Sequence, residues 1–116
     1  MMYALYQSLQ DVIDEGLDNV LKRHLRVHRY LSDQLDDVGL KFLVDKNSRL
    51  PSLNAVLIPE GVDDLKIRSE LLHKYNIELG GGLGPFAGKV WRIGLMCYSA
   101  YEENVDKFIF ALKKLL

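Results

Sequence analysis

The sequence predicts an α+β fold: a small, mostly antiparallel sheet with helices packed on one face, preceded by a long helical arm. Three observations lead there. The first third carries apolar residues at three- and four-residue steps, the middle breaks into short apolar stretches bounded by turn residues, and the last segment returns to helical spacing. Helices segregated to one side of an antiparallel sheet are the stable packing for that order of elements.

In the arm, Leu5, Leu9, Val12 and Ile13 recur at helical spacing until Gly16 interrupts them. The stripe resumes with Leu17, Val20, Leu21, Val27, Leu31 and Leu35. A glycine costs a helix about 1 kcal/mol relative to alanine, so a bend or break belongs at Gly16. Gly39 suits a left-handed C-cap. The charged residues between the apolar steps, Lys22, Arg23, Arg26, Arg29 and Asp33, read as a solvated face.

After Gly39, the alternation of Leu40, Phe42 and Val44 predicts a strand, and residues 45–52 a polar turn that includes Pro51. Leu53 to Ile58 is strand-like, and Pro59-Glu60-Gly61 ends it. Asp63 is placed to cap a helix carrying Leu65, Arg68, Leu71, Leu72 and Tyr75. Ile77 to Leu79 predicts a short strand, and Val90 to Leu95 another. Ser99 and Glu102 have the spacing of a capping box for a last helix with Val105, Phe108, Ile109 and Leu112 along its apolar stripe. Residues 1–38 are thus expected to form the arm and 39–116 the α+β domain.

With 116 residues, 48% apolar and 27% charged, the chain fits one globular domain. The net charge of −1 gives no basic excess for nucleic acid and no polybasic membrane anchor. No apolar run reaches the roughly 18–20 residues of a membrane span, and the N-terminus lacks the pattern of a secretory signal. A lone cysteine, Cys97, argues for a reducing compartment, and the expected location is cytoplasmic.

The candidate chemistry is sparse. The glycine-rich stretch Gly80-Gly81-Gly82-Leu83-Gly84-Pro85 fails as a Walker A loop, because Gly84 and Gly88 are separated by three residues and Val90 follows Lys89. It also leads into a strand, not a helix, which excludes the dinucleotide fingerprint. Two readings stay open: a tight connection that passes close to the chain itself, or a close approach to a ligand or another domain.

Arg92 is a charge within the apolar run Val90-Trp91-Arg92-Ile93-Gly94. Strand alternation puts it on one face with Val90 and Gly94, opposite Trp91 and Ile93, with Gly94 leaving space beside it. A guanidinium binds a carboxylate through two parallel hydrogen bonds. The alternative is a structural salt bridge, for instance to Glu78.

His24 and His28 have i, i+4 spacing but no third ligand and several arginine neighbours, so no metal site is expected. His73 stands alone, Cys97 reads as a buried thiol, and Lys89 as a solvated loop residue.

The segment Ile77-Glu78-Leu79-Gly80-Gly81-Gly82-Leu83-Gly84-Pro85-Phe86-Ala87-Gly88-Lys89-Val90-Trp91-Arg92-Ile93-Gly94 resembles the C-terminal small domain of class V, fold-type I, pyridoxal-phosphate aminotransferases. The group it is most similar to contains alanine–glyoxylate, serine–pyruvate and ureidoglycine–glyoxylate aminotransferases. Tyr3-Ala4-Leu5, Glu15-Gly16-Leu17 and Arg23-His24 resemble that family's helical arm, and Glu102-Glu103-Asn104-Val105 the start of its last helix. Many relatives carry glycine where Cys97 stands.

The resemblance implies that Arg92 binds the α-carboxylate of the amino or keto acid and that Gly80, Gly81 and Gly82 form an active-site loop. It also implies pyridoxal 5'-phosphate in a full-length enzyme, a homodimeric parent roughly three times longer, and a large N-terminal domain carrying the Schiff-base lysine. Lys41, Lys46, Lys66, Lys74 and Lys89 stand in no such context. The chain alone is therefore expected to lack catalytic residues and to bind neither cofactor nor metal. An excised piece, a split-gene product and a truncated remnant all fit. The competing readings are a stand-alone module that binds small carboxylates or regulates, and an interaction protein whose amphipathic arm self-associates.

Overall fold

A computed structural model describes residues 1–116. Its elements run α1 (Met2–Glu15), α2 (Leu17–Val38), β1 (Leu53–Leu57), α3 (Asp64–Tyr75), β2 (Gly80–Gly81), β3 (Val90–Gly94) and α4 (Glu102–Leu115), with short 3-10 turns at Lys46–Ser48, Gly84–Phe86 and Cys97–Ser99. The strands form one antiparallel sheet in the order β1-β3-β2, so β3 is central and its backbone is paired on both sides. The α+β class is as expected. No helix is long and apolar enough to cross a membrane.

The helix boundaries follow local chemistry. Gly16 adopts φ 86°, a conformation that glycine reaches without a Cβ clash, and it separates α1 from α2. Gly39 closes α2 in the left-handed conformation, its N–H reaching the carbonyls of Asp36 and Leu35. At the start of α3 the Asp63 carboxylate accepts the Lys66 N–H at 3.0 Å.

The core lies between the helices and one face of the sheet. Val27, Leu31 and Leu35 of α2 join Leu71 of α3, Phe108 and Leu112 of α4, and Val56, Trp91 and Ile93 of the sheet in one buried cluster. The buried Asn54 fastens α2 to the strands: its Oδ1 bonds His28 Nδ1 at 2.7 Å, and its amide reaches the carbonyls of Pro51 and Ile93. The opposite sheet face is free of helices; Leu53, Leu57 and Gly94 are exposed there.

Five local expectations need correction. Residues 40–44 form no strand: Phe42 makes a single bridge to Val56, because the chain then leaves the edge of β1 for the turn at Lys46–Ser48. The short strand is Gly80–Gly81, just beyond Ile77–Leu79, where the backbone first comes alongside β3. Ser99 does not cap α4; its hydroxyl turns back, accepting the Met96 N–H and donating to the Met96 carbonyl, so α4 starts at Glu102.

Arg23, the fourth, does not lie on a solvated face. It is 9% exposed, and its guanidinium grips both carboxylate oxygens of Glu15 (2.6 and 2.9 Å) and donates to the carbonyls of Cys97 and Ala100. Its partners come from α1 and from the turn before α4, which helical periodicity within one segment does not reveal. Cys97, expected as a buried thiol, is exposed, and its backbone has φ 52°. That turn holds its residue in the left-handed region, which a glycine adopts more readily than a cysteine.

Candidate functional site

The site is built on the helix-free face of the sheet, around Arg92. Strand β3 sets Arg92 opposite Ala55 of β1 on one side and Gly80 of β2 on the other, while Trp91 and Ile93 point to the core. A residue in the middle of a strand bonded on both edges has little backbone freedom, so the guanidinium is presented from a rigid base.

The glycines beside it are explained by close approaches. A Cβ at Gly80 would lie 3.1 Å from the Arg92 carbonyl oxygen and 3.7 Å from its Nε. At Gly81 it would meet the Arg68 guanidinium at 3.1 Å, and at Gly82 the Phe86 carbonyl oxygen at 2.0 Å. Gly82 therefore has no room for any side chain unless the backbone moves. Of the two open readings of this loop, the tight passage against its own chain is present, and Gly80 and Gly81 border Arg92 directly.

Arg92 Nε donates to the Gly81 carbonyl at 2.7 Å. The alternative of a salt bridge to Glu78 does not occur: the ion pairs join Arg23 to Glu15, Arg26 to Glu102, Arg68 to Asp64 and Lys74 to Glu70. Arg92 is half-buried, and no protein carboxylate engages it. The outer edge of the guanidinium is left to receive an anion.

Behind the site, the Trp91 indole N–H donates to Asp64 Oδ1 at 2.9 Å, and Arg68 donates to both oxygens of the same carboxylate. The Arg68 hydrogen bonds, helped by Trp91, hold the Asp64 carboxyl below its usual range against the opposing effect of burial. Arg68 is thereby occupied and offers its charge to Asp64 rather than to a ligand.

A second arginine borders the same groove. Arg49 stacks its guanidinium on the Phe42 ring, 3.9 Å from the centroid, and its Nε donates to the Val44 carbonyl at 2.9 Å. The groove, about 210 Å³, is lined by Phe42, Ser48, Arg49, Leu53, Asn54 and Arg92 among others. Reading residues 45–52 as a polar turn gave no sign of Arg49, since nothing in that stretch says which strand it folds against.

The remaining candidates lie elsewhere. His24 donates from Nδ1 to the Val20 carbonyl and accepts the Cys97 N–H at Nε2. His28 is bonded to Asn54, and His73 to the Ser69 carbonyl. Lys89 is exposed in the loop before β3.

Comparison with known proteins gives the fold a lineage. No family model matches the chain. Alanine–glyoxylate aminotransferase of Mus musculus is 40% identical over 116 residues, 99% of this chain and 28% of that protein. (S)-Ureidoglycine–glyoxylate transaminase of Bacillus subtilis (strain 168) is 36% identical over all of this chain and 28% of its own length. The crystal structure of alanine–glyoxylate aminotransferase from Nostoc sp. superposes with a TM-score of 0.94 at 47% identity, covering 97% of this chain and 30% of that one. The chain thus spans little more than a quarter of the curated relatives it matches. Over its whole length, in sequence and in fold, the chain is similar to a C-terminal part of alanine–glyoxylate and ureidoglycine–glyoxylate aminotransferases.

Proposed function

We propose that this chain is the substrate-orienting part of a pyridoxal-phosphate-dependent aminotransferase, and that Arg92 holds the α-carboxylate of its amino and keto acids. The enzyme would move an amino group from a donor such as alanine or serine to a 2-oxo acid such as glyoxylate or pyruvate. The observation that carries this reading is the Arg92 guanidinium, fixed through Nε to the Gly81 carbonyl and engaged by no protein carboxylate. Two parallel N–H···O bonds would fix the carboxylate plane, and with it the direction of the α-carbon substituents.

The bond-making chemistry lies outside these residues. Pyridoxal phosphate supplies an electron sink at the α-carbon and needs a linking lysine, an acid at its ring nitrogen and a phosphate cradle. Every lysine of this chain is exposed, whereas a lysine used in this way is desolvated or crowded by another cation. The residues here do not fit the cofactor, and in this reading it is held by a large N-terminal domain of a homodimeric enzyme. Residues 1–38 are then the arm and 39–116 the small domain, with Gly80, Gly81 and Gly82 on the active-site side. By itself the chain orients a carboxylate and turns nothing over.

The test is kinetic, in an aminotransferase polypeptide that carries this chain as its C-terminal part. Arg92→Ala is expected to lower kcat/KM for amino and keto acids by about 10- to 100-fold, the loss of a charge-assisted hydrogen-bond pair. Cofactor absorbance should be unchanged, and Arg92→Lys should be intermediate, keeping charge but not the fork. Wild-type kinetics in Arg92→Ala would overturn the assignment.

A further inference from the structure

We infer that Arg68 is a positioning residue for Arg92: paired with Asp64, it seats its guanidinium on Gly81 from the helix side and so fixes the carbonyl that holds Arg92 Nε. The inference deepens the proposed function and rests on its reading of Arg92 as a carboxylate anchor.

The glycine loop has little of its own to keep it in place. β2 is two residues long, lies at the edge of the sheet and pairs only with β3. Between the buried Leu79 and the buried Val90, no residue of the loop is buried. Glycines at 80, 81 and 82 also leave the backbone its widest conformational freedom. Yet the Gly81 carbonyl accepts Arg92 Nε at 2.7 Å, so any drift of Gly81 turns the guanidinium away from its aim.

The support comes from α3. A Cβ at Gly81 would lie 3.1 Å from Arg68 Cζ, 3.3 Å from its Nη2 and 3.4 Å from its Nε. Nearly equal distances, shortest to the central carbon, belong to a point above the face of the group. The guanidinium plane of Arg68 therefore lies flat against Gly81. It does so on the side to which Trp91 points, because Gly81 and Trp91 are register partners. Arg68 is in turn held by Asp64, through Nε at 2.8 Å and Nη2 at 3.1 Å, and Asp64 Oδ1 accepts the Trp91 indole N–H at 2.9 Å. Gly81, Trp91, Asp64 and Arg68 thus close a ring, and the Gly81 carbonyl passes its geometry on to Arg92. An ordinary i, i+4 ion pair on a helix surface needs only its two side chains. This one also binds the central strand and covers the residue that orients Arg92. The plane is what the position requires: a lysine would keep the charge beside Asp64 but offer Gly81 no flat face. Because its own charge is held by Asp64, Arg68 acts on a substrate carboxylate only through Gly81 and Arg92.

The experiment has two readouts. In the 116-residue chain, NMR follows hydrogen exchange of the Arg92 Nε–H, identified by its loss in Arg92→Lys. Exchange is expected to quicken about three- to tenfold in Arg68→Met, the coupling of neighbouring groups in one network. Arg68→Lys, which keeps the Asp64 pair and with it the fold, should lie between Arg68→Met and wild type. In an aminotransferase polypeptide that carries this chain as its C-terminal part, Arg68→Met should raise KM for alanine and glyoxylate by about three- to tenfold, with kcat little changed. In an Arg92→Ala background the same substitution should add nothing further. Unchanged exchange in both Arg68 variants, or an equal KM penalty with Arg92 already removed, overturns the positioning role. A lowered melting temperature that moves neither readout overturns it too, since that is a structural pair and no more. If exchange quickens as expected while Arg92→Ala keeps wild-type kinetics, it is the reading of Arg92 as the carboxylate anchor that fails.

Discussion

At the scale of single residues, the backbone of the glycine loop and of the turn after β3 set opposite demands. Gly82 stands where a Cβ would come within 2.0 Å of the Phe86 carbonyl oxygen and 2.6 Å of its carbon, a contact that no rotamer relieves. Gly82→Ala should therefore destabilise the fold by about 1–3 kcal/mol, the usual cost of overpacking a site that cannot yield. Cys97 is the reverse case: φ 52° disfavours any side chain, its own thiol is exposed, and glycine meets the conformation freely. Relief of a left-handed residue is worth about 1–2 kcal/mol, offset in part by the greater freedom of glycine when unfolded. Cys97→Gly is thus expected to be neutral or stabilising by up to about 1 kcal/mol. Urea denaturation of the two variants measures both signs, and a stable Gly82→Ala or a clearly destabilised Cys97→Gly would contradict the geometry.

At the scale of elements, the junction of α1 and α2 is governed by Arg23. Gly16 breaks the helix, and the break alone would let α1 swing. The Arg23 guanidinium joins Glu15, the last residue of α1, to the carbonyls of Cys97 and Ala100, while Tyr98 adds a hydrogen bond to Asp11 at 3.1 Å. Arg23→Leu should leave the buried Ala100 carbonyl unsatisfied, a cost of about 1–3 kcal/mol, and release α1. Hydrogen exchange over residues 5–14 reads the second effect, which a purely structural loss in the core would not produce. The pair is also acid-sensitive. The hydrogen bond from Arg23 holds the Glu15 carboxyl below its ordinary value of 4.5. A carboxyl depressed in the folded state contributes its stability above the unfolded value and loses it as pH falls through the lowered one. Protection of α1 should accordingly persist at neutral pH and fade only below about pH 4.5, and in Arg23→Leu it should be low at both ends. This junction also shows what a sequence can and cannot disclose. Gly16, Gly39 and Asp63 act through their own conformation or a partner three residues away, so they were legible. So was the face of Arg92, which strand alternation fixes. Arg23 takes acceptors 74 and 77 residues distant, and Arg49 comes to line a groove with Arg92 only after the 42–50 segment folds beside β1. Ser99 fits a capping box locally but finds its partner in Met96, three residues back, and Phe42 is held by one bridge where alternation suggested a strand.

At the scale of the whole molecule, the apolar surface is unevenly covered. The core closes over α2, α3, α4 and the sheet, yet α1 buries no residue, and the molecule extends 45 Å along its longest axis. Met2, Tyr6, Leu9 and Ile13 follow one another at helical steps along α1 and are 85, 68, 55 and 70% exposed, and Leu17 and Leu21 of α2 are exposed as well. Scattered exposed apolar residues are ordinary, but a stripe along the whole of α1 marks a surface that is normally covered. In the proposed enzyme the large domain covers it. Without that domain, a second copy of the same stripe is the available partner. Burying such a side chain contributes about 1.5–3 kcal/mol, so covering only part of the stripe offsets the roughly 4–15 kcal/mol that association costs in lost freedom. The chain alone is therefore expected to self-associate reversibly and weakly, with a sedimentation coefficient that rises with concentration. Leu9→Glu combined with Ile13→Glu should abolish the rise while leaving circular dichroism unchanged, because neither side chain enters the core. A wild-type chain that stays monomeric up to its solubility limit would show that α1 rests against nothing and needs no partner.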